Sequence, residues 1–96
     1  MIILGIDPGY GTIGYGLIEK NGDKLTPLDY GVIQTPKDEG IAARLAMIYD
    51  ALSTLVKKYR PDEIAVEELF FNTNITTGIK VAQARGVILL CAVYED

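Results

Sequence analysis

The sequence contains no histidine, a single cysteine, and nine basic residues against thirteen acidic ones. The missing histidine excludes a Ser-His-Asp triad, a Cys-His pair and any imidazole general base. It also removes the usual nitrogen ligand of zinc and other transition metals. A metal bound to this chain must therefore be held by oxygen, which suits Mg2+, Mn2+ or Ca2+. A lone cysteine cannot close an intramolecular disulfide. Cys91 lies in an apolar stretch and reads as core, and a cytoplasmic home follows from this usage. The formal charge of -4 argues against binding nucleic acid by a simple basic surface. Long apolar runs are absent too: Val87 to Val93 is far too short to cross a bilayer. The apolar start, Met1 to Gly5, lacks a basic leader and a cleavage site, so it reads as a strand and not as a signal peptide.

What is present is globular. Hydrophobic residues make up 49% of the 96 positions, enough for one domain spanning 1–96 near the lower size limit of an independent core. Ile2 to Asp7 is a dense apolar run ending in an acid, which fits a strand buried on both faces. In Thr12 to Lys20, Ile13, Tyr15 and Leu17 alternate with Gly14 and Gly16, the period of a half-buried strand with room on one face. Asn21-Gly22-Asp23 signals a hairpin. Leu25 to Thr35 forms a third strand, at an edge because Pro27 cannot donate to a ladder.

The period then lengthens. Ile41, Leu45, Ile48, Leu52, Leu55 and Tyr59 mark one face of a helix. Thr35 or Asp38 is the expected cap, Lys57, Lys58 and Arg60 suit its negative end, and Pro61 stops it. Ile64 to Leu69 is a fourth strand. A second helix opens at Thr73 or Asn74, with Ile75, Ile79, Ala82, Gly86 and Leu89 on one side, and small residues at 82, 84 and 86 permit close packing there. The order is β-β-β-α-β-α. A strand following a helix returns parallel to a neighbour by a right-handed crossover, and its natural place is beside strand one.

That topology gives the acids their meaning. Asp7 ends the first strand and Glu67 lies near the end of the fourth. On adjacent parallel strands both project at the carboxyl edge, where open α/β sheets place their sites. Two neighbouring carboxylates repel unless a cation or proton lies between them. A divalent metal resolves that repulsion and can activate water against a phosphate. The plainer reading is an Asp that merely forms a turn before Pro8-Gly9 and a solvated strand-end Glu. Glu68 is an alternative to Glu67, since a one-residue register change swaps faces. Glu67 is preferred because it shares a face with Ala65, as Asp7 does with Gly5, and small neighbours leave space for a ligand.

Gly9-Tyr10-Gly11-Thr12-Ile13-Gly14 matches G-x-G-x-x-G, but a dinucleotide site needs a helix opening at the glycines, and here a strand pattern follows. A tight turn that lets backbone amides approach a phosphate fits better. Phe70 and Phe71 follow the acidic strand, where one ring belongs to the core by default and the other is free to stack on an unpaired base. Lys80 and Arg85 either meet phosphate or solvate a helix face.

Taken together, Ile3-Leu4-Gly5-Ile6-Asp7-Pro8-Gly9, Gly14-Tyr15-Gly16, Ala65-Val66-Glu67 with Phe70, and Gln83-Ala84-Arg85-Gly86-Val87 resemble the RuvC family of Holliday-junction resolvases, in the right order and over essentially the whole chain. The resemblance implies an RNase H-like mixed sheet and a homodimeric endonuclease. Such an enzyme binds four-way junction DNA and nicks two strands by Mg2+-dependent phosphodiester hydrolysis, with Mn2+ as a substitute, in DNA recombination and repair beside a branch-migration complex. Asp7 and Glu67 match the first two of four family acids, as catalytic metal ligands. Phe70 matches the aromatic set against junction bases, and the second helix matches the dimer-lining region. The family's last two acids, with a final strand and helix, lie beyond residue 96. The chain is therefore expected to be truncated at its C-terminus and inactive alone. Two other readings stay open: a non-catalytic DNA-binding or dimerisation module, and a fragment of a nucleotide-binding actin-like ATPase.

Overall fold

The computed structural model describes residues 1–9, 11–67 and 75–95. Strands β1 (Ile2–Asp7), β2 (Thr12–Asn21) and β3 (Lys24–Gln34) are followed by helix α1 (Ile41–Tyr59), strand β4 (Glu63–Val66) and helix α2 (Ile75–Glu95). They build a mixed sheet in the order β3-β2-β1-β4. β1 and β2 are antiparallel, as are β2 and β3, whereas β4 runs parallel to β1. This is the expected β-β-β-α-β-α mixed α/β architecture, with the fourth strand beside the first.

The β2–β3 hairpin closes through Gly22 and Asp23, since Asn21 pairs with Lys24. Gly22 has φ +61, a conformation that a side chain would strain and that matches the first central position of a type II′ turn. Further along, Leu17 pairs with Asp29 but Ile18 with Pro27. Leu28 is thus an extra residue, and the bulge accommodates a proline on the outer strand.

Both helices cover one face of the sheet. Leu4 and Ile6 of β1 and Ile13 and Leu17 of β2 meet Ile48, Leu52 and Val56 of α1 and Ala84, Ile88 and Cys91 of α2. Cys91 is fully buried, as expected, and burial pushes its thiol pKa up.

Two helical expectations are corrected. The residue at the N-cap of α1 is Gly40, which offers no side-chain hydrogen bond, so neither Thr35 nor Asp38 caps the helix. Thr35 instead accepts a hydrogen bond from Arg44 Nε at 2.8 Å. The inward face of α1 is turned toward Arg44, Ser53 and Val56, while Ile41, Leu45, Leu55 and Tyr59 are half-buried. α2 is turned further. Its buried positions include Ala84, Ile88 and Cys91, whereas Ile79 and Leu89 are exposed along with Ala82 and Gly86. The stripe expected on one side of the helix thus faces away from the core, and of the small residues at 82, 84 and 86 it is Ala84 that packs inward. The helix is apolar on nearly every side, so periodicity alone does not choose between its faces.

α1 ends as expected before Pro61. Arg60 adopts a left-handed conformation and donates its N–H to the Val56 carbonyl at 2.8 Å. Asp62 then fastens the start of β4 to β1. Its N–H donates to Ile2 O and its carboxylate accepts from Ile2 N–H, both at 2.7 Å. Among the described residues no helix is long and apolar enough to cross a membrane.

Candidate metal centre at the carboxyl edge of the sheet

Parallel pairing aligns Ile3 with Glu63, Gly5 with Ala65 and Ile6 with Val66. The ladder extends one step beyond β4, where Glu67 N–H donates to Ile6 O at 3.0 Å. Asp7 and Glu67 are therefore neighbours at the ends of adjacent parallel strands. Side chains alternate across a sheet, so Gly5, Asp7, Ala65 and Glu67 share the face that the helices do not cover. Leu4, Ile6, Ile64 and Val66 point to the core.

The electrostatics agree with this geometry. Glu67 holds its proton above the usual carboxylate range, because its side chain hydrogen-bonds to Asp7, because the Asp7 charge repels its own, and because some water is displaced. Both acids are exposed. This is a pair of hard oxygen donors, within hydrogen-bonding reach of each other and open to solvent. Mg2+ is commonly held by one or two carboxylates, with waters and substrate phosphate completing its shell, so the donor set fits such an ion. Among the described residues no group of three acidic or cysteine ligands assembles.

The turn after Asp7 is sterically demanding. A Cβ at Gly9 would run into the backbone carbonyl oxygen of Thr12. Across β1, Gly14 pairs with Asp7 and Gly16 with Gly5, which extends the surface without side chains beside the acids. The G-x-G-x-x-G segment leads into strand β2 and not into a helix, so it is a β-turn-β unit, as expected.

Glu68, Phe70, Phe71, Thr73 and Asn74 lie outside the described residues. Arg85 has a role that the sequence did not single out: its Nε donates to the carbonyl oxygen of Glu67 at 3.3 Å, which ties α2 to the end of β4. Arg44 also escaped the sequence reading. It is only 5% exposed and shares its helix face with Ile48, Leu52, Ser53 and Val56. Its place within the α1 period was the available signal.

Comparison with known proteins bears on this site. The sequence pattern of crossover junction endodeoxyribonuclease RuvC matches residues 3–96. The chain is 53% identical over 96 residues to the crossover junction endodeoxyribonuclease RuvC of Petrotoga mobilis, covering all of this chain and 59% of that protein. It is 54% identical over 92 residues to the same enzyme of Heliobacterium modesticaldum, covering 96% of this chain and 57% of that protein. Among solved structures, RuvC of T. thermophilus in complex with a Holliday junction substrate superposes with a TM-score of 0.91 at 30% identity, covering 99% of this chain and 61% of that one. The chain thus spans about three fifths of the length of these relatives.

Proposed function

Because the chain belongs to the RuvC family of crossover junction endodeoxyribonucleases, we propose that it contributes Asp7 and Glu67 to a divalent-metal site that hydrolyses phosphodiester bonds in four-way junction DNA. The observation that carries the proposal is the parallel pairing of β1 and β4, which continues to Glu67 through its N–H bond to Ile6. Without it the two acids would be unrelated strand ends.

Mg2+ is the resident ion in this reading, and Mn2+ can replace it. When bound, such an ion supplies Lewis acidity toward a phosphodiester. Asp7 and Glu67 would hold it, and its charge would relieve the repulsion that helps raise the Glu67 pKa. Gly14 keeps the far side of Asp7 clear, so that a DNA backbone can come down onto the sheet edge. Arg85 holds the end of β4 against α2 and so limits the drift of Glu67. Phe70 is assigned to junction bases on the strength of the family likeness.

The active form in this reading is a homodimer. Ile79, Leu89, Leu90, Val93 and Tyr94 of α2 are exposed large hydrophobics, and an apolar stripe of this kind is usually covered by a partner. A second copy presenting the same stripe would bury both.

Crystals soaked in Mn2+ test the metal site. An anomalous peak between Asp7 and Glu67 is expected, and it should vanish in Glu67→Gln. Asp7→Asn, made in a protein that also carries the remaining part, about two fifths, of the relatives' length, is expected to retain junction binding and to abolish cleavage, whereas residues 1–96 alone should not cleave. Manganese bound elsewhere, or cleavage that survives Asp7→Asn, would overturn the assignment.

A further inference from the structure

A cleft of about 240 Å3 lies beside the β1–β2 turn and is lined by Gly11, Thr12, Gln34, Thr35, Lys37 and Arg44. From its position and chemistry we infer that it seats a backbone phosphate of the cleaved DNA strand, a nucleotide or two away from the bond at Asp7 and Glu67. The inference rests on the nuclease reading above and adds a substrate contact to it.

Position comes from the topology. Thr12 opens β2, and β2 is antiparallel to β1, so Thr12 stands at the same sheet edge as Asp7. Asp7 pairs with Gly14, and Thr12 pairs with Gln34. By alternation, the Thr12 and Gln34 side chains project on the same open face as Asp7. One strand spacing across and two residues along put Thr12 about 8 Å from Asp7. Neighbouring phosphates on one strand lie roughly 6–7 Å apart once the winding of the backbone is added to the axial rise of about 3.4 Å, so that is one to two steps. DNA laid across this edge with one phosphate at the acids therefore brings another over the cleft.

Chemistry comes from the lining. Arg44 and Lys37 are cations, Thr12 and Gln34 are exposed polar side chains, and no carboxylate is among the described lining residues. Asp38 and Glu39 follow Lys37 in the chain without lining the cleft. Arg44 is 95% buried by its 5% exposure and is held in place: its Nε donates to Thr35 Oγ1 at 2.8 Å and its Nη2 to Thr35 O at 3.5 Å. A Cβ on Gly11 would meet Arg44 Nη2 at 3.3 Å, so this guanidinium lies directly against the glycine turn. A guanidinium presents a planar fork to phosphate oxygens, and an exposed lysine beside it adds a point charge. In a chain of charge -4, a basic cleft at this edge gives the backbone a local attraction that the overall charge withholds. Another cleft, lined by Val56, Lys57, Arg60, Pro61 and Glu95, differs on both counts. It lies at the opposite sheet edge, and its Glu95 carboxylate pairs with Lys57 at 3.5 Å.

The test is junction binding by the full chain in Ca2+ across a salt series, with wild type, Lys37→Ala and Thr12→Val. Lys37 and Thr12 are exposed, so neither variant should disturb the fold. Loss of one phosphate contact lowers the slope of log K against log salt by about 0.9, so that the Lys37→Ala affinity falls about 3.5-fold less than wild type over a fourfold rise in salt. A neutral methylphosphonate placed within three nucleotides of the cleaved bond should weaken wild type several-fold at one position and leave Lys37→Ala no weaker there. Junction binding with an unchanged slope in Lys37→Ala, or methylphosphonate effects that multiply with the substitution at every position, would overturn the phosphate seat while leaving the nuclease reading intact. Absence of junction binding by the wild type would overturn the nuclease reading, and the phosphate seat with it.

Discussion

Replacing Arg44 by Met tests how the turn behind Asp7 is held. Arg44 lies on α1, yet its partners belong to the segment after β3, and its Nη2 lies against Gly11. Thr35 in turn donates its N–H to Gly11 O at 3.0 Å. One buried side chain therefore couples the helix, the end of the third strand and the turn after the first. Met replaces the unbranched apolar stem of Arg, stops two atoms short of the terminal guanidinium nitrogens, and leaves no charge to solvate. The hydrogen bond from Nε at 2.8 Å involves a charged donor, for which the net contribution is about 1.5–3 kcal/mol. The 3.5 Å contact to Thr35 O is too long to add much. Removing the desolvation cost of a guanidinium gives some of this back, and the expected loss is about 2 kcal/mol.

For a domain of this size each kcal/mol moves the melting temperature by roughly 4–8 °C, so a drop of about 8–16 °C is expected by circular dichroism. Denaturant unfolding should show a lower midpoint with an unchanged m-value. Arg44→Lys keeps a donor and a charge but loses the planar fork, and should recover about half of the loss. Thr35→Val removes the acceptor, and in a double-mutant cycle the pair should couple by about 1–2 kcal/mol. If Arg44→Met unfolds within about 0.5 kcal/mol of wild type, the guanidinium is not a structural tie, and the turn behind Asp7 is held by other contacts.

Other outcomes follow from the same geometry. Glu67 binds its proton more tightly in the folded chain than in the unfolded one, so its contribution to stability is fully present below the ordinary value of 4.5 and is lost as pH rises through the raised folded value; Asp7→Asn should flatten that dependence, and an NMR titration of the Glu67 carboxyl carbon should show its midpoint move down. Gly9→Ala forces a Cβ against the Thr12 carbonyl, and a cost of about 1–3 kcal/mol is expected from overpacking, read by denaturant unfolding. Val93, 75% exposed on α2, should tolerate Glu in the monomer, whereas sedimentation should show weakened self-association; an unchanged dimer would remove α2 from the interface.

The sheet was legible because several independent signals agreed. The period of two in Thr12 to Lys20, the Gly22 turn and the proline at position 27 each specify a strand or its limits, and all three hold. The placement of β4 beside β1 required one further rule, that a strand following a helix returns parallel to a neighbour, and β4 does pair parallel to β1. The helix faces were harder to read. On α1 the apolar residues outnumber those that one face can bury, and a charged residue, Arg44, takes an inward position that hydropathy would assign to a neighbour. On α2, Val81, Val87 and Ile88 compete with Ile79, Leu89 and Leu90, so a period of 3.6 fits two opposite faces equally well. What decides is the width left beside β4 and α1, a tertiary quantity that no local window contains. The cap of α1 failed for a related reason. Thr35 is a sound cap in isolation, but Arg44 offers its hydroxyl a charged donor, and the chain takes that bond.

The candidate centre depends as much on missing side chains as on the two acids. A residue in a sheet meets same-face neighbours on the adjoining strands, with Cβ atoms about 4.5–5.5 Å away. For Asp7 the partner on β2 is Gly14, where even a Cβ would sit 3.7 Å from that of Asp7. One rung back, Gly5 lies between Gly16 and Ala65. No bulky group on these strands therefore screens Asp7 from Glu67 or packs over them. A valine in place of Gly14 would be an ordinary strand residue, yet it would cover one side of Asp7 and exclude water from it. An acid pair so uncovered is a poor way to stabilise a fold, because its repulsion is offset by neither burial nor a basic neighbour on the same face of these strands. The same openness suits a cation that must also reach a phosphate. The raised Glu67 pKa, the glycine partners and the polar cleft at Thr12 share one cause: β1 ends at an edge where the sheet has acids but no cover.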